Sequence, residues 1–266
     1  MPRALSILGV LLLAGLARAQ QDAPSTQPTL AEQALARFED LEKEVDSIVA
    51  AWRREMTARA EQAKAAAEAG EAIPAMSMRP PLEPMIAKFA KAAAEFADTE
   101  HAPRFLVWIV RNGVGFDDAA VHAAFDTLSS KHADTPEVAG IVPMLDYLAR
   151  FVGEDRIKAF VAKVKEANDD PDVLGWLAFH EYADTIEKAP IDSAEFAKAK
   201  EVLLARLEKV TDKYLRNSIR GAIDTREKFG IGNVAPDIEG IDLDGVAFKL
   251  SDYKGKVIFL DFWGDW

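Results

Sequence analysis

Leu35, Phe38, Leu41, Val45, Ile48, Trp52 and Met56 recur at steps of three and four. That period is the helical one, and a strand cannot use it. It puts one apolar stripe on a helix starting at Thr29. Ala-, Glu- and Lys-rich sequence carries the helix to Glu68 without a breaker, and Gly70 is its expected stop. The result is a rod of about forty residues, ~60 Å at 1.5 Å per residue. Beyond Met56 the stripe thins to alanine, so a coiled-coil dimer is a weak reading of it. Glu71 to Pro84 holds Pro74, Pro80, Pro81 and Pro84 and is expected to be a loop.

Breaks then recur at Pro103, Gly113-Val114-Gly115, Pro136, Gly153, Pro171 and Pro190. Between them the pattern predicts helices over 83–98, 102–112, 117–132, 136–151, 154–167, 171–188, 193–209 and 212–229. Asp117, Thr135 and Asp192 stand where N-caps are expected. Such lengths and short turns predict antiparallel helical hairpins over 29–230, in a bundle or short solenoid. No motif recurs at a fixed period, which weakens the repeat alternative.

The 266 residues carry 32 Lys+Arg against 44 Asp+Glu, a net charge of −12. No basic patch stands out, so nucleic acid is not an expected partner. Cysteine is absent, which excludes a disulfide, a thiolate metal site or a cysteine nucleophile within these residues. Residues 1–19 read as an export signal: Arg3, an apolar run from Leu5 to Leu16, and Ala17-Arg18-Ala19 as the cleavage site. Cleavage after Ala19 leaves 30 basic and 44 acidic residues, and a flexible leader at 20–28. The expected location is the periplasm or outside the cell. The apolar run is short of the ~20 residues that cross a bilayer, so an integral membrane protein is not expected.

Chemistry within the helices is sparse. His101, His122, His132 and His180 show no i, i+4 pairing, and His180-Glu181 lacks the second histidine of a zinc helix because position 184 is Asp. Asp169, Asp170 and Asp172 read as acids at a helix N-terminus and not as a calcium loop. Phe105, Trp108, Trp176 and Phe179 read as core. Neither a metal nor a cofactor is expected.

The texture changes near Gly230. Asp244-Gly245 between two apolar segments signals a hairpin. Ser251 is placed to cap a short helical turn. Val257 to Trp263 is nearly all apolar, as a strand buried on both faces would be.

Ala235-Pro236-Asp237, the Asp244-Gly245 hairpin, Leu250 to Lys256 and the run Val257 to Trp263, in that order and spacing, resemble the thioredoxin-like family, specifically exported thiol–disulfide oxidoreductases and redoxins of the TlpA/ResA type. The resemblance covers residues 231–266 and leaves the helical region untouched. It implies a mostly α protein in which a helical-hairpin domain precedes a truncated α/β thioredoxin-like domain, with only the hairpin and first buried strand present. In that family Phe-Trp-x-x-Trp leads directly into Cys-x-x-Cys, and here Phe262-Trp263-Gly264-Asp265-Trp266 is the last segment. By the same resemblance Asp261 is a candidate buried proton acceptor beneath the redox pair, and Trp263 and Trp266 flank it. Packing alone is the plain alternative for each.

The position of the last residue admits a nonsense or frameshift mutation, an incomplete gene, or a UGA codon for selenocysteine. The last is the favoured expectation. The function implied is exported thiol (or selenol)–disulfide exchange with protein dithiol or disulfide partners, the 266 residues alone being inactive. The alternatives are a peroxiredoxin-like peroxidase and a non-enzymatic periplasmic helical adaptor working through helix-mediated protein contacts.

Overall fold

The structure is a computed structural model that describes residues 27–70, 72, 78–231 and 233–261. The expected signal peptide and most of the leader lie outside the described residues. Among those described there are nine α-helices and one two-stranded sheet, so the protein is mostly α with a small α/β portion. No described helix is long and apolar enough to cross a membrane. The chain divides into two compact units, 1–128 and 129–266.

In the first unit, α1 spans Leu30–Ala69. Thr29 Oγ1 accepts the Glu32 N–H at 3.2 Å, and the Glu32 carboxylate accepts the Thr29 N–H at 2.7 Å. This reciprocal cap satisfies two amides that a helix start leaves open. Gly70 ends the helix with φ 72°, a left-handed turn that glycine adopts without strain. The apolar stripe is where the sequence places it, but only Leu41 of its members is fully buried. α2 (Glu83–Glu95) and α3 (Ala102–Gly113) supply the rest of the core. Phe38 meets Phe89 and Phe105 edge-on, at 5.9 and 5.3 Å between ring centroids. Trp108 stacks on Phe89 at 3.7 Å, confirming it as a packing residue. α4 (Asp118–Lys131) starts at Asp117, whose Oδ1 accepts the Ala120 N–H at 2.9 Å as expected of a cap.

The second unit opens with a difference from the sequence reading. In place of one helix over 136–151 there are 3₁₀ turns at Pro136–Gly140 and Val142–Met144, and α5 covers only Leu145–Val152. Pro143 has no N–H to donate and its ring crowds the preceding turn, so the α-helix cannot propagate through it. Thr135 precedes the first turn without capping it, and its hydroxyl donates to the His132 carbonyl instead. α6 (Glu154–Ala167), α7 (Pro171–Lys188), α8 (Ala194–Leu207) and α9 (Lys213–Phe229) follow. The cap of α8 is Ser193, one residue beyond the expected Asp192.

Two side chains tie the start of α7 to backbone distant in the chain. Asn168, buried before α7, donates to the carbonyls of Ala133 and Thr135, both at 2.9 Å. Asp172 in the first turn of α7 accepts the N–H groups of Thr211 and Asp212, just before α9. Asp170 caps α7 by accepting the N–H groups of Asp172 and Val173, so Asp170 and Asp172 serve helix starts, as their positions suggested. Gly175 lets α7 approach α9 closely: a Cβ there would sit 2.5 Å from Val210 Cγ2 and 3.0 Å from Leu215 Cδ2.

After α9, β1 (Glu239–Ile241) pairs antiparallel with β2 (Ala247–Lys249), Glu239 opposite Lys249 and Gly240 opposite Phe248. The Asp244-Gly245 loop is where the sequence predicted it, with φ 80° at Gly245 and Asp242 Oδ1 accepting the N–H groups of Asp244 and Val246. A 3₁₀ turn at Leu250–Tyr253 follows. The expected buried strand does not form over its described part: Val257 to Asp261 has no regular structure and is exposed. A strand of this kind is defined by its neighbours, and among the described residues none lies beside it.

Candidate functional site

The segment that carries the resemblance is held together by one carboxylate. Extending the hairpin register outward by one further pair on the same face brings Asp237 opposite Ser251. There Asp237 Oδ1 accepts the Ser251 N–H and its Oδ2 accepts the Ser251 hydroxyl, each at 2.8 Å. The hydroxyl first, and the backbone N–H second, hold the Asp237 carboxyl below the usual aspartate range. Leu250 N–H donates to the Ile238 carbonyl at 2.9 Å, which carries the pairing past β2. Ser251 is therefore not the cap of the 3₁₀ turn. The Lys249 N–H is accepted instead by Asp252 Oδ2 at 2.9 Å.

Cross-strand packing is local. Phe248 lies over Gly240, where a Cβ would meet its ring at 3.0 Å, so glycine is the residue that admits the ring. Lys249 pairs with Glu239 across the strands. No described residue from Ile231 to Asp261 is buried.

Asp261 is exposed at the end of the unpaired run, and the burial expected of a proton acceptor is not present in this chain. Burial there would need strands or helices on both faces of Val257–Asp261, and the described residues supply none. Trp263 and Trp266 lie outside the described residues. The structure thus brings together Asp237, Lys249, Ser251 and Asp252, and does not bring Asp261 to them. Sequence reasoning quoted Asp237 and Ser251 without seeing the bond between them. The hairpin register was the signal, because centring the loop on Asp244 sets 237 opposite 251.

Elsewhere the chemistry is structural. His180 Nε2 lies 3.0 Å from Asp146 Oδ1, and Glu181 pairs with Lys165 at 2.5 Å. Among the described residues no group of three or more His, Cys, Asp or Glu is arranged to hold a metal ion. In the first unit a groove of about 440 Å³ lies between α1 and the turn at Phe116, lined by Trp52, Met56 and Arg79. Arg79 sits 4.2 Å over the Phe116 ring and donates to the Val114 carbonyl at 2.8 Å, which fixes the turn.

No family profile matches the chain, and no solved structure does. Short local matches do exist. The chain is 45% identical over 47 residues to the thiol-disulfide oxidoreductase ResA of Bacillus cereus, covering 18% of this chain and 27% of that protein. It is 53% identical over 36 residues to the ResA of Geobacillus kaustophilus, covering 14% of this chain and 21% of that protein. The ResA of Geobacillus thermodenitrificans matches over 36 residues at 50% identity. The chain therefore spans about a quarter of the length of the curated relatives it matches. These matches support a thioredoxin-like relationship.

Proposed function

We propose that residues 231–266 are the leading segment of a thioredoxin-like domain, and that the protein in which they act is an exported thiol- or selenol–disulfide oxidoreductase. The observation that carries this reading is the local identity of 45–53% to proteins named thiol-disulfide oxidoreductase. The hairpin closed by Asp237 and Ser251 is consistent with it, because it presents Val257–Asp261 next in the chain as an unpaired strand-forming run. Reduction of a protein disulfide needs a chalcogen nucleophile, and these 266 residues contain no cysteine. The nucleophile therefore belongs to sequence outside them, and Asp261, Trp263 and Trp266 are the residues proposed to lie beside it. Residues 1–19 are proposed to direct export.

The test is to sequence the transcript through codon 266 and beyond, express the longest product, and assay reduction of insulin disulfides by dithiothreitol. An in-frame continuation with a Cys or selenocysteine nucleophile and catalytic turnover supports the reading. A continuation without turnover, or a UAA or UAG codon directly after Trp266, overturns it.

A second reading has its own observation. Each helical unit holds buried apolar residues, while the described residues of the last segment bury none. Such a helical body can serve as a protein-binding module without redox chemistry. It predicts a helical fragment that keeps its partner after the last segment is removed.

A further inference from the structure

We propose that the second unit carries a binding site for a small carboxylate with an apolar chain, anchored by Arg206. A groove of about 300 Å³ lies among α6, α7 and α8. α7 supplies its floor, where Leu177 and Ala178 are buried, and Val202 of α8 supplies an apolar wall. The three helices that enclose it are described along their full length, and none of its lining residues belongs to the segment after α9. The space is a gap between packed helices, and its size is at the low end of small-molecule sites, ~300–1,000 Å³.

The charges on the rim select the ligand. Lys165 of α6, Glu181 of α7 and Arg206 of α8 are the charged side chains that line the groove. Lys165 Nζ donates to Glu181 Oε2 at 2.5 Å, and this bond holds the Glu181 carboxyl below its ordinary value. The two therefore neutralise one another, and Arg206 is left over. Among the described residues its half-buried side chain has no hydrogen bond, ion pair or ring partner, in a chain with 44 acidic residues. A partly desolvated cation without a counter-charge is unfavourable, so the groove favours an anion beside Arg206. A planar guanidinium offers two parallel N–H donors that match the two oxygens of a carboxylate. The floor of Leu177 and Ala178 takes the apolar chain behind that carboxylate. A neutral ligand would leave Arg206 uncompensated, and a bare anion would leave the apolar floor wet.

The experiment is an amide NMR titration of the chain with sodium hexanoate, at an ionic strength held constant with sodium chloride. Saturable shifts are expected at Leu177, Ala178, Val202 and Arg206, with a dissociation constant on the order of 1 mM for so small a ligand. Hexanamide lacks the charge and acetate lacks the chain, and each is expected to bind about tenfold more weakly or not at all. Arg206→Gln is expected to weaken hexanoate about tenfold. Val202→Phe fills the groove and is expected to abolish binding. Arg220→Gln removes a positive charge from an exposed position on α9 and is expected to bind as the unaltered chain does. Circular dichroism confirms that each variant keeps its helices, and the ligand comparison on the unaltered chain stands even if one does not. Absence of saturable shifts with hexanoate overturns the proposal. So does a response that hexanamide or acetate reproduces, that Arg206→Gln or Val202→Phe leaves unchanged, or that Arg220→Gln weakens equally. The redox reading is scored separately by insulin reduction, so failure of either leaves the other standing.

Discussion

The Asp172 carboxylate in the first turn of α7 accepts the Thr211 hydroxyl and the Thr211 N–H, both at 2.6 Å, and so fixes where α9 begins. Partial burial raises the pKa of Asp172, but the Thr211 hydroxyl and the N–H groups of Asp212 and Thr211 outweigh it and hold the carboxyl below its ordinary value. The folded form thus binds this proton less readily than the unfolded chain. Its contribution is complete above the unfolded value near pH 4 and is lost as pH falls through the lower folded value. Asp172→Ala is expected to cost about 1 kcal/mol, below the usual ~1.5–3 kcal/mol of a charged hydrogen bond because the site is largely solvated. Urea unfolding at pH 7 and pH 3 checks this, and a cost that does not shrink at pH 3 would count against the assignment.

Asn168 should matter more, because it is buried. Its amide donates to Ala133 and Thr135, and its Oδ1 accepts the Asp170 N–H at 3.0 Å. Asn168→Ala strands two carbonyls and one N–H and is expected to cost about 2–3 kcal/mol. Asn168→Asp is expected to cost at least as much, since a carboxylate would face the two carbonyls. Denaturant midpoints of the two variants provide the check.

Two glycine substitutions are expected to have opposite signs. At Gly175 a methyl group would collide with Val210 at 2.5 Å, so Gly175→Ala should destabilise by about 1–3 kcal/mol. At Gly221 in α9 a Cβ meets nothing within 4 Å, so Gly221→Ala should stabilise by about 0.5–1 kcal/mol. Melting temperatures measured side by side test the packing of α7 on α9 against plain helix propensity.

The Asp237–Ser251 closure should be visible in hydrogen exchange. Ser251→Ala removes one of the two bonds, and Asp237→Ala removes both. The amides of Ser251 and Leu250 should exchange faster in both variants, more so in the second. Because the Asp237 carboxyl is held below its ordinary value, the closure is complete above the ordinary value near pH 4 and opens only as pH falls through the lower folded value. Exchange that is indifferent to Asp237→Ala would show that the hairpin holds its register without the carboxylate.

Much of the candidate segment was legible before any coordinates. Asp244-Gly245 fixed the loop, and the residues quoted for the thioredoxin-like resemblance are the ones that form the hairpin and its closing turn. The Asp237–Ser251 bond was within reach, since it follows from the loop position by counting outward. The burial of Asp261 was not, because burial is a property of what surrounds a residue and not of its place in a motif.

The sequence alone determined the helices, since a period of 3.6, a capping residue and a terminating glycine act within a few residues of one another. It determined the hairpin for the same reason. Pro143, which splits a predicted helix into tight turns, is equally local and was there to be read. Only the tertiary structure decided that Asn168 and Asp172 would bridge to backbone 33 to 40 residues away. Only it decided that Val257–Asp261 would pair with none of the described residues. Contacts of that range depend on which surfaces meet, and local sequence carries the tendency to form a strand without carrying the neighbour that completes it.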